Sequence, residues 1–65
     1  MTKVVIFTIK RVLESFVIRD DKDAELWFKG AMEMRKGFKT PNTPDNTFHY
    51  VNKKGVLTSV QLTKL

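Results

Sequence analysis

The sequence has no cysteine and only one histidine among its 65 residues. The chain therefore forms no disulfide and no thiolate metal site. One histidine cannot build a structural zinc site either, because such sites take four Cys or His ligands. A domain this small buries only about 60% of its unfolded surface and usually depends on supports of this kind. A second copy of the chain is the support that remains, so we expect a homodimer.

Long apolar segments are also missing. The apolar run from Val4 to Ile9 is far shorter than the roughly 20 residues of a membrane-spanning helix. It is too short for a signal-peptide core, and Lys10 and Arg11 follow it where a cleavage site would have small residues. We expect a cytoplasmic protein that does not associate with membranes, in agreement with the lack of cysteine.

Residues that carry out catalysis are scarce. His49 has no cysteine to pair with, and no spacing of serine and acidic residues indicates a catalytic triad. The acidic stretch 20–25 lacks the central glycine and closing glutamate of a calcium-binding loop, and it is typical of a helix start. No glycine-rich phosphate loop is present. The sequence predicts no enzymatic activity, no cofactor and no metal ion.

Acidic residues are few in the second part of the chain. Residues 1–25 carry as many acidic as basic residues, so the whole net charge of +5 lies in residues 26–65. A one-sided excess favours a polyanionic partner such as nucleic acid, although a lysine-rich solvated surface would give the same pattern. The candidate nucleic-acid-binding residues lie near the predicted helix end and at a predicted hairpin tip: Arg35, Lys36, Lys39, Lys53 and Lys54.

The first part of the chain predicts two strands. KVVIFTIK is rich in β-branched residues and apolar on both alternating faces, which is typical of a central or covered strand. ESFVIRD alternates more regularly. The linking KRVLE has no Gly, Pro or Asn, and the apolar residues from Ile9 to Phe16 also fit a helical spacing. A β-hairpin is favoured, with a short helix over residues 9–17 as the alternative.

A helix is predicted over DDKDAELWFKGAMEMRKGF. Asp20 or Asp21 can cap its start, and Gly37 is placed to adopt the left-handed conformation after its end. Leu26 lies off the apolar face. That face repeats every 3.6 residues and comprises Ala24, Trp27, Phe28, Ala31, Met34 and Phe38. The following KTPNTPDNT is predicted to be a loop.

The stretch TFHYVNKKGVLTSV predicts a hairpin with a type I turn at NKKG and Gly55 in the left-handed position. This register pairs Asn52 with Val56 and Val51 with Leu57, and it directs the aromatic residues 48 and 50 to the core. The outer face then presents His49, Val51 and Leu57, which we expect to form a dimer or protein-partner surface.

These elements predict an α+β fold in one domain, residues 1–65, with the order ββαββ and one helix packed on an antiparallel sheet. The function favoured by the charge is non-catalytic nucleic-acid binding. RNA is slightly favoured over DNA as the ligand, because no helix suited to the major groove is evident and a charged sheet-and-loop surface suits single strands.

In size, charge and non-ideal turns, the chain as a whole resembles the small, cysteine-free early proteins of tailed phages. Those proteins interfere with host enzymes or defence systems. The resemblance implies a non-catalytic inhibitor that binds a host protein such as a toxin or nuclease, directly or through bound RNA.

Overall fold

In a computed structural model that describes residues 1–65, the chain forms four strands and one helix in the order β-β-α-β-β. The elements are β1 Thr2–Phe7, β2 Val12–Ile18, α1 Asp21–Met34, β3 Thr47–Val51 and β4 Leu57–Lys64. All strand pairs are antiparallel, and the spatial order is β2-β1-β4-β3. The predicted α+β fold is confirmed, and β1, the strand that is apolar on both faces, is a central strand of the sheet.

A tight turn at Thr8–Arg11 joins β1 to β2, so the alternative of a helix over residues 9–17 is wrong. The Thr8 backbone N–H donates to the Arg11 carbonyl at 2.8 Å. The Thr8 hydroxyl oxygen accepts from the backbone N–H groups of Lys10 and Arg11, at 3.2 and 3.4 Å. The threonine side chain thus supplies the turn hydrogen bonds for which Asn, Asp or Ser is more usual.

Helix α1 begins as predicted and packs by one face. The Asp20 carboxylate accepts from the backbone N–H groups of Lys22 and Asp23, at 2.8 and 3.1 Å, which makes Asp20 the N-cap. Of the predicted apolar face, Ala24, Phe28 and Ala31 are buried. Trp27 is half-buried and meets Phe16 of β2 edge to face, with ring centres 5.3 Å apart. Leu26 is exposed on the outer side.

The end of the helix corrects two parts of the sequence prediction. Met34 and Phe38 are not on the buried face: Met34 is 85% exposed, and Phe38 lies beyond the helix, paired with His49 of β3. The left-handed residue is Lys36, with φ of 51°, and not Gly37. The apolar spacing continues in the sequence past the helix end at Met34, although the chain turns there to run beside β3.

A Schellman motif closes the helix. The Gly37 N–H donates to the Met32 carbonyl at 2.7 Å, and the Lys36 N–H donates to the Glu33 carbonyl at 3.3 Å. Glycine is required at position 37 for space: a Cβ there would lie 2.6 Å from Cδ1 of Phe48. The motif therefore brings the chain after α1 against the core.

The β3–β4 hairpin has the predicted register. Val51 pairs with Leu57, and the Asn52 N–H donates to the Val56 carbonyl at 3.0 Å. Gly55 has a positive φ of 78°, as the turn requires. The two aromatic residues of β3 face the core, where Phe48 is fully buried and Tyr50 is packed at its margin.

The core lies between the helix and one face of the sheet. Its buried members are Val4, Ile6, Phe28, Ala31, Phe48 and Val60. The other face of the sheet has no helix over it, and its alternate residues include the exposed Val12, Val17, Val51 and Leu57. The helix lacks the length and apolarity needed to cross a membrane.

Candidate nucleic-acid interface

The topology directs both hairpin turns toward the same end of the sheet. Phe7, the last residue of β1, pairs with Ser59 near the start of β4. The turns Thr8–Arg11 and Asn52–Val56 therefore project side by side. The helix starts at the opposite end, where Asp21 accepts a hydrogen bond from Thr2, and finishes near the tip of β3. We call the end of the sheet with the two turns the basic end; the cations that line a depression there are Lys10, Arg11, Arg35, Lys53 and Lys54. Lys36 follows Arg35 in the chain but lines neither depression.

A cleft of about 640 Å³ separates the two hairpin turns; we call it the tip cleft. It is lined by Thr8, Lys10, Arg11, Leu13, Asn52, Lys53, Lys54 and Val56. Four of these eight residues are cationic and none is acidic. Walls that carry one sign of charge concentrate the electrostatic field inside a cleft. An anion in the tip cleft can thus be attracted by cations of both turns.

These cations are available because no carboxylate neutralises them. The single ion pair of the protein joins the N-terminal ammonium group to Asp21, far from the tip cleft. Glu14, the only acidic residue of β2, lies opposite Ile6 and does not line the cleft. The turn that carries Lys53 and Lys54 is also held in shape, since the Asn52 side-chain oxygen accepts from the N–H groups of Lys54 and Val56, both at 2.9 Å.

A second, smaller depression of about 380 Å³ lies between the end of α1 and the tip of β3; we call it the side pocket. It is lined by Met34, Arg35, Tyr50, Val51, Asn52 and Lys53. The Arg35 guanidinium lies over the Tyr50 ring, 5.6 Å from its centre. Asn52 and Lys53 line both the tip cleft and the side pocket. Arg35 and Lys53 belong to separate segments of the sequence. The fold brings these two candidate binding residues together in the side pocket.

Lys39 does not belong to the basic end. Its ammonium group donates to the Asp45 carbonyl at 2.8 Å and lies 5.8 Å from the centre of the Phe28 ring. It lines a larger cavity of about 760 Å³ beside the helix, together with Glu25, Glu33 and Asp45. Lys29 and Lys64 line the same cavity, so Lys39 lies among residues of both charges and not with the other predicted binding residues.

The candidate residues predicted from the sequence do not include Lys10 and Arg11, which line the tip cleft. The two residues lie in a segment whose charges balance, so the charge distribution gave no signal for them. Lys10 and Arg11 become candidates only when the strand order is known. If β1 and β4 are antiparallel neighbours, the turn at residues 8–11 lies at the same end of the sheet as the β3–β4 turn. That condition depends on strand order.

The predicted protein-contact residues differ in how accessible they are. Val51 and Leu57 are 58% and 56% exposed and lie directly opposite each other, so they form an accessible apolar pair. His49 is half-buried, and both of its ring nitrogens are engaged, Nδ1 with the Ser59 hydroxyl at 2.8 Å and Nε2 with the Thr43 hydroxyl at 3.0 Å. His49 therefore fastens the loop before β3 to the sheet.

The acidic residues of the helix start lie at the opposite end of the molecule, together with the N-terminal ammonium group and Lys64. Asp20, Asp21 and Asp23 gather at the start of α1. The pKa of Asp21 is lowered because the Thr2 hydroxyl donates to its carboxylate at 2.7 Å and because the N-terminal ammonium group lies 3.0 Å away. This carboxylate is engaged with its own chain, and the acidic helix start disfavours an anion there.

No protein-family model, curated protein or solved structure matches this chain. The geometry of the basic end is therefore the basis for inferring what the protein binds.

Proposed function

We propose that this protein is a non-catalytic nucleic-acid-binding protein that holds a sugar–phosphate backbone in the tip cleft. The observation that carries the proposal is the meeting of Lys10 and Arg11 with Lys53 and Lys54, from turns more than 40 residues apart in sequence, around a cleft without acidic residues. Contacts from Lys and Arg to phosphates supply most of the sequence-independent affinity for nucleic acids. A cytoplasmic location belongs to the same proposal.

RNA is slightly favoured over DNA as the ligand. A DNA-reading helix would present its exposed side to the major groove. The exposed side of α1 carries mixed charges, among them Glu25, Lys29 and Glu33, which do not suit a phosphate-lined groove. Two turns that flank a cleft suit a single strand or an irregular RNA better.

The salt dependence of binding tests the proposal. We expect the affinity for an RNA strand of about 12 nucleotides, within the usual range of single-strand sites, to fall steeply between about 50 and 200 mM salt. Each phosphate contact contributes about 0.7 to the slope of log K against log salt for single strands. Lys53→Ala/Lys54→Ala and Lys10→Ala/Arg11→Ala should each reduce that slope by up to about 1.4, as measured by fluorescence anisotropy.

A matched control distinguishes binding in the tip cleft from a general effect of the net charge. Lys22→Ala/Lys29→Ala removes two exposed cations of α1 that do not line the tip cleft, so its slope should equal that of the wild type. An equal decrease in the control would show that charge acts without a specific site. Absence of RNA and DNA binding by the wild type at low salt would show the proposal to be wrong.

A second candidate function is protein binding, which the exposed Val51 and Leu57 favour. Two large apolar side chains that lie opposite each other on an uncovered sheet face form a contact patch. An inhibitor of a host protein, as the resemblance to phage early proteins implies, would use such a patch. A tagged protein that captures the same partner before and after nuclease treatment, but loses it in Val51→Ser/Leu57→Ser, would favour this function over nucleic-acid binding.

A further inference from the structure

We propose that the side pocket binds a nucleobase of a single strand whose phosphates lie in the tip cleft. This inference rests on the proposed function and extends it. The tip cleft would bind the phosphates, and the side pocket would bind a base. It makes single-stranded nucleic acid the ligand, because the bases of a duplex are stacked inside the helix and cannot enter a pocket.

The two depressions adjoin, as binding to a single strand requires. Asn52 and Lys53 line both, so the β3–β4 turn is the wall between them. Each nucleotide carries its base and its phosphate on one sugar. A strand that crosses this turn can therefore keep its phosphates near Lys53 and Lys54 and direct a base toward Tyr50.

The lining of the side pocket has the chemistry of a base-binding site. Tyr50 offers an aromatic ring, and its hydroxyl has no hydrogen-bond partner in the chain. Arg35 lies over that ring as a planar cation that is in no ion pair, so a base can stack on one of the two groups and accept a hydrogen bond from the other. Met34, 85% exposed, and Val51 supply apolar walls, and no carboxylate lines the pocket.

Strands with and without bases provide the test. We expect the wild type to bind an oligothymidine strand more tightly than an abasic deoxyribose-phosphate strand of the same length. Stacking of one base on an aromatic residue predicts a ratio of about 5- to 150-fold. Tyr50→Leu should bring the ratio close to one, whereas Tyr50→Phe, which keeps the ring, should preserve most of it. Duplex DNA of the same length should bind more weakly than oligothymidine.

Two further variants serve as a control and as a second test of the side pocket. Lys54→Ala lies in the tip cleft but outside the side pocket, so it should weaken binding to both strands and leave their ratio unchanged. Arg35→Ala is the second probe of the pocket if Tyr50→Leu does not fold, and it should also reduce the ratio.

The possible failures can be told apart. Equal binding of abasic and base-containing strands by the wild type, with normal salt dependence, would overturn the base pocket and leave phosphate binding in place. A ratio that neither Tyr50→Leu nor Arg35→Ala reduces, or tighter binding to duplex, would also overturn it. Absence of binding to all of these DNA strands and to the RNA strand of the salt titration would overturn both the pocket and the proposed function.

Discussion

Gly37 shows how closely one residue can constrain this small core. It lies against Phe48, which is fully buried, and a Cβ at position 37 would also lie 2.9 Å from Cγ of Met32. The conformation of Gly37 is not the reason for glycine here, because the left-handed residue is its neighbour Lys36. Glycine is needed because the end of the helix approaches an aromatic ring that has no room to move.

We therefore predict that Gly37→Ala lowers the free energy of unfolding by about 1–3 kcal/mol, as overpacking of a core does. Gly30→Ala is the matched control, since a Cβ at position 30 meets nothing within 4 Å and lies in the interior of α1. There the same substitution should stabilise the protein by about 0.5–1 kcal/mol through helix propensity. Urea denaturation measures both, and equal stability of Gly37→Ala and wild type would contradict the close approach.

At the scale of elements, α1 holds the sheet through two aromatic residues with different roles. Phe28 is 8% exposed and meets Phe48 at 5.0 Å between ring centres, in the middle of the core. Trp27 is half-buried and covers Phe16 on the edge strand β2. The two residues thus pack the helix against opposite edges of the sheet, Phe28 against Phe48 of β3 and Trp27 against Phe16 of β2.

Phe28→Ala should accordingly cost about 3–5 kcal/mol, which is most of the stability of a domain of this size. Trp27→Ala should also destabilise strongly but by less than Phe28→Ala, because part of the indole is already in water. Circular-dichroism melts of the two variants give the comparison. If Phe28→Ala melted at the wild-type temperature, the packing of α1 would have to be reassigned.

At the scale of the whole molecule, the sheet has one covered face and one open face. Phe38 pairs with His49 through hydrogen bonds of 2.8 and 2.9 Å, so the edge of β3 is partly closed by the chain itself. The edge of β2 has no such neighbour. Exposed apolar residues on the open face and a free strand edge are features that association can bury.

The homodimer remains our prediction for the protein in solution. Its melting temperature should rise with protein concentration in the micromolar range, because association stabilises the folded state. Val51→Ser/Leu57→Ser should weaken the association, whereas Leu26→Ser, a change of an exposed leucine on the outer side of α1, should not. Sedimentation that finds only monomer, together with a melt independent of concentration, would exclude the dimer.

The parts of the fold that the sequence predicted are those encoded by neighbouring residues. The cap at Asp20, the turn at Asn52–Gly55 and the register of Val51 opposite Leu57 follow from hydrogen-bonding groups and apolar alternation within a few positions. The errors occurred where a local pattern continued past a change of direction. Met34 and Phe38 keep the helical spacing, but the chain leaves the helix between them.

The sequence by itself thus determined the first strand, the helix, the last hairpin and the excess of positive charge, because period and composition are properties of contiguous segments. It only favoured the second strand, for which a helix over residues 9–17 was the alternative. Tertiary structure alone decided which charges meet. The order β2-β1-β4-β3 places Lys10 and Arg11 beside Lys53 and Lys54, and the path after α1 takes Lys39 away from them. Strand order is set by which apolar faces can be buried together, and burial joins residues that are distant in the sequence.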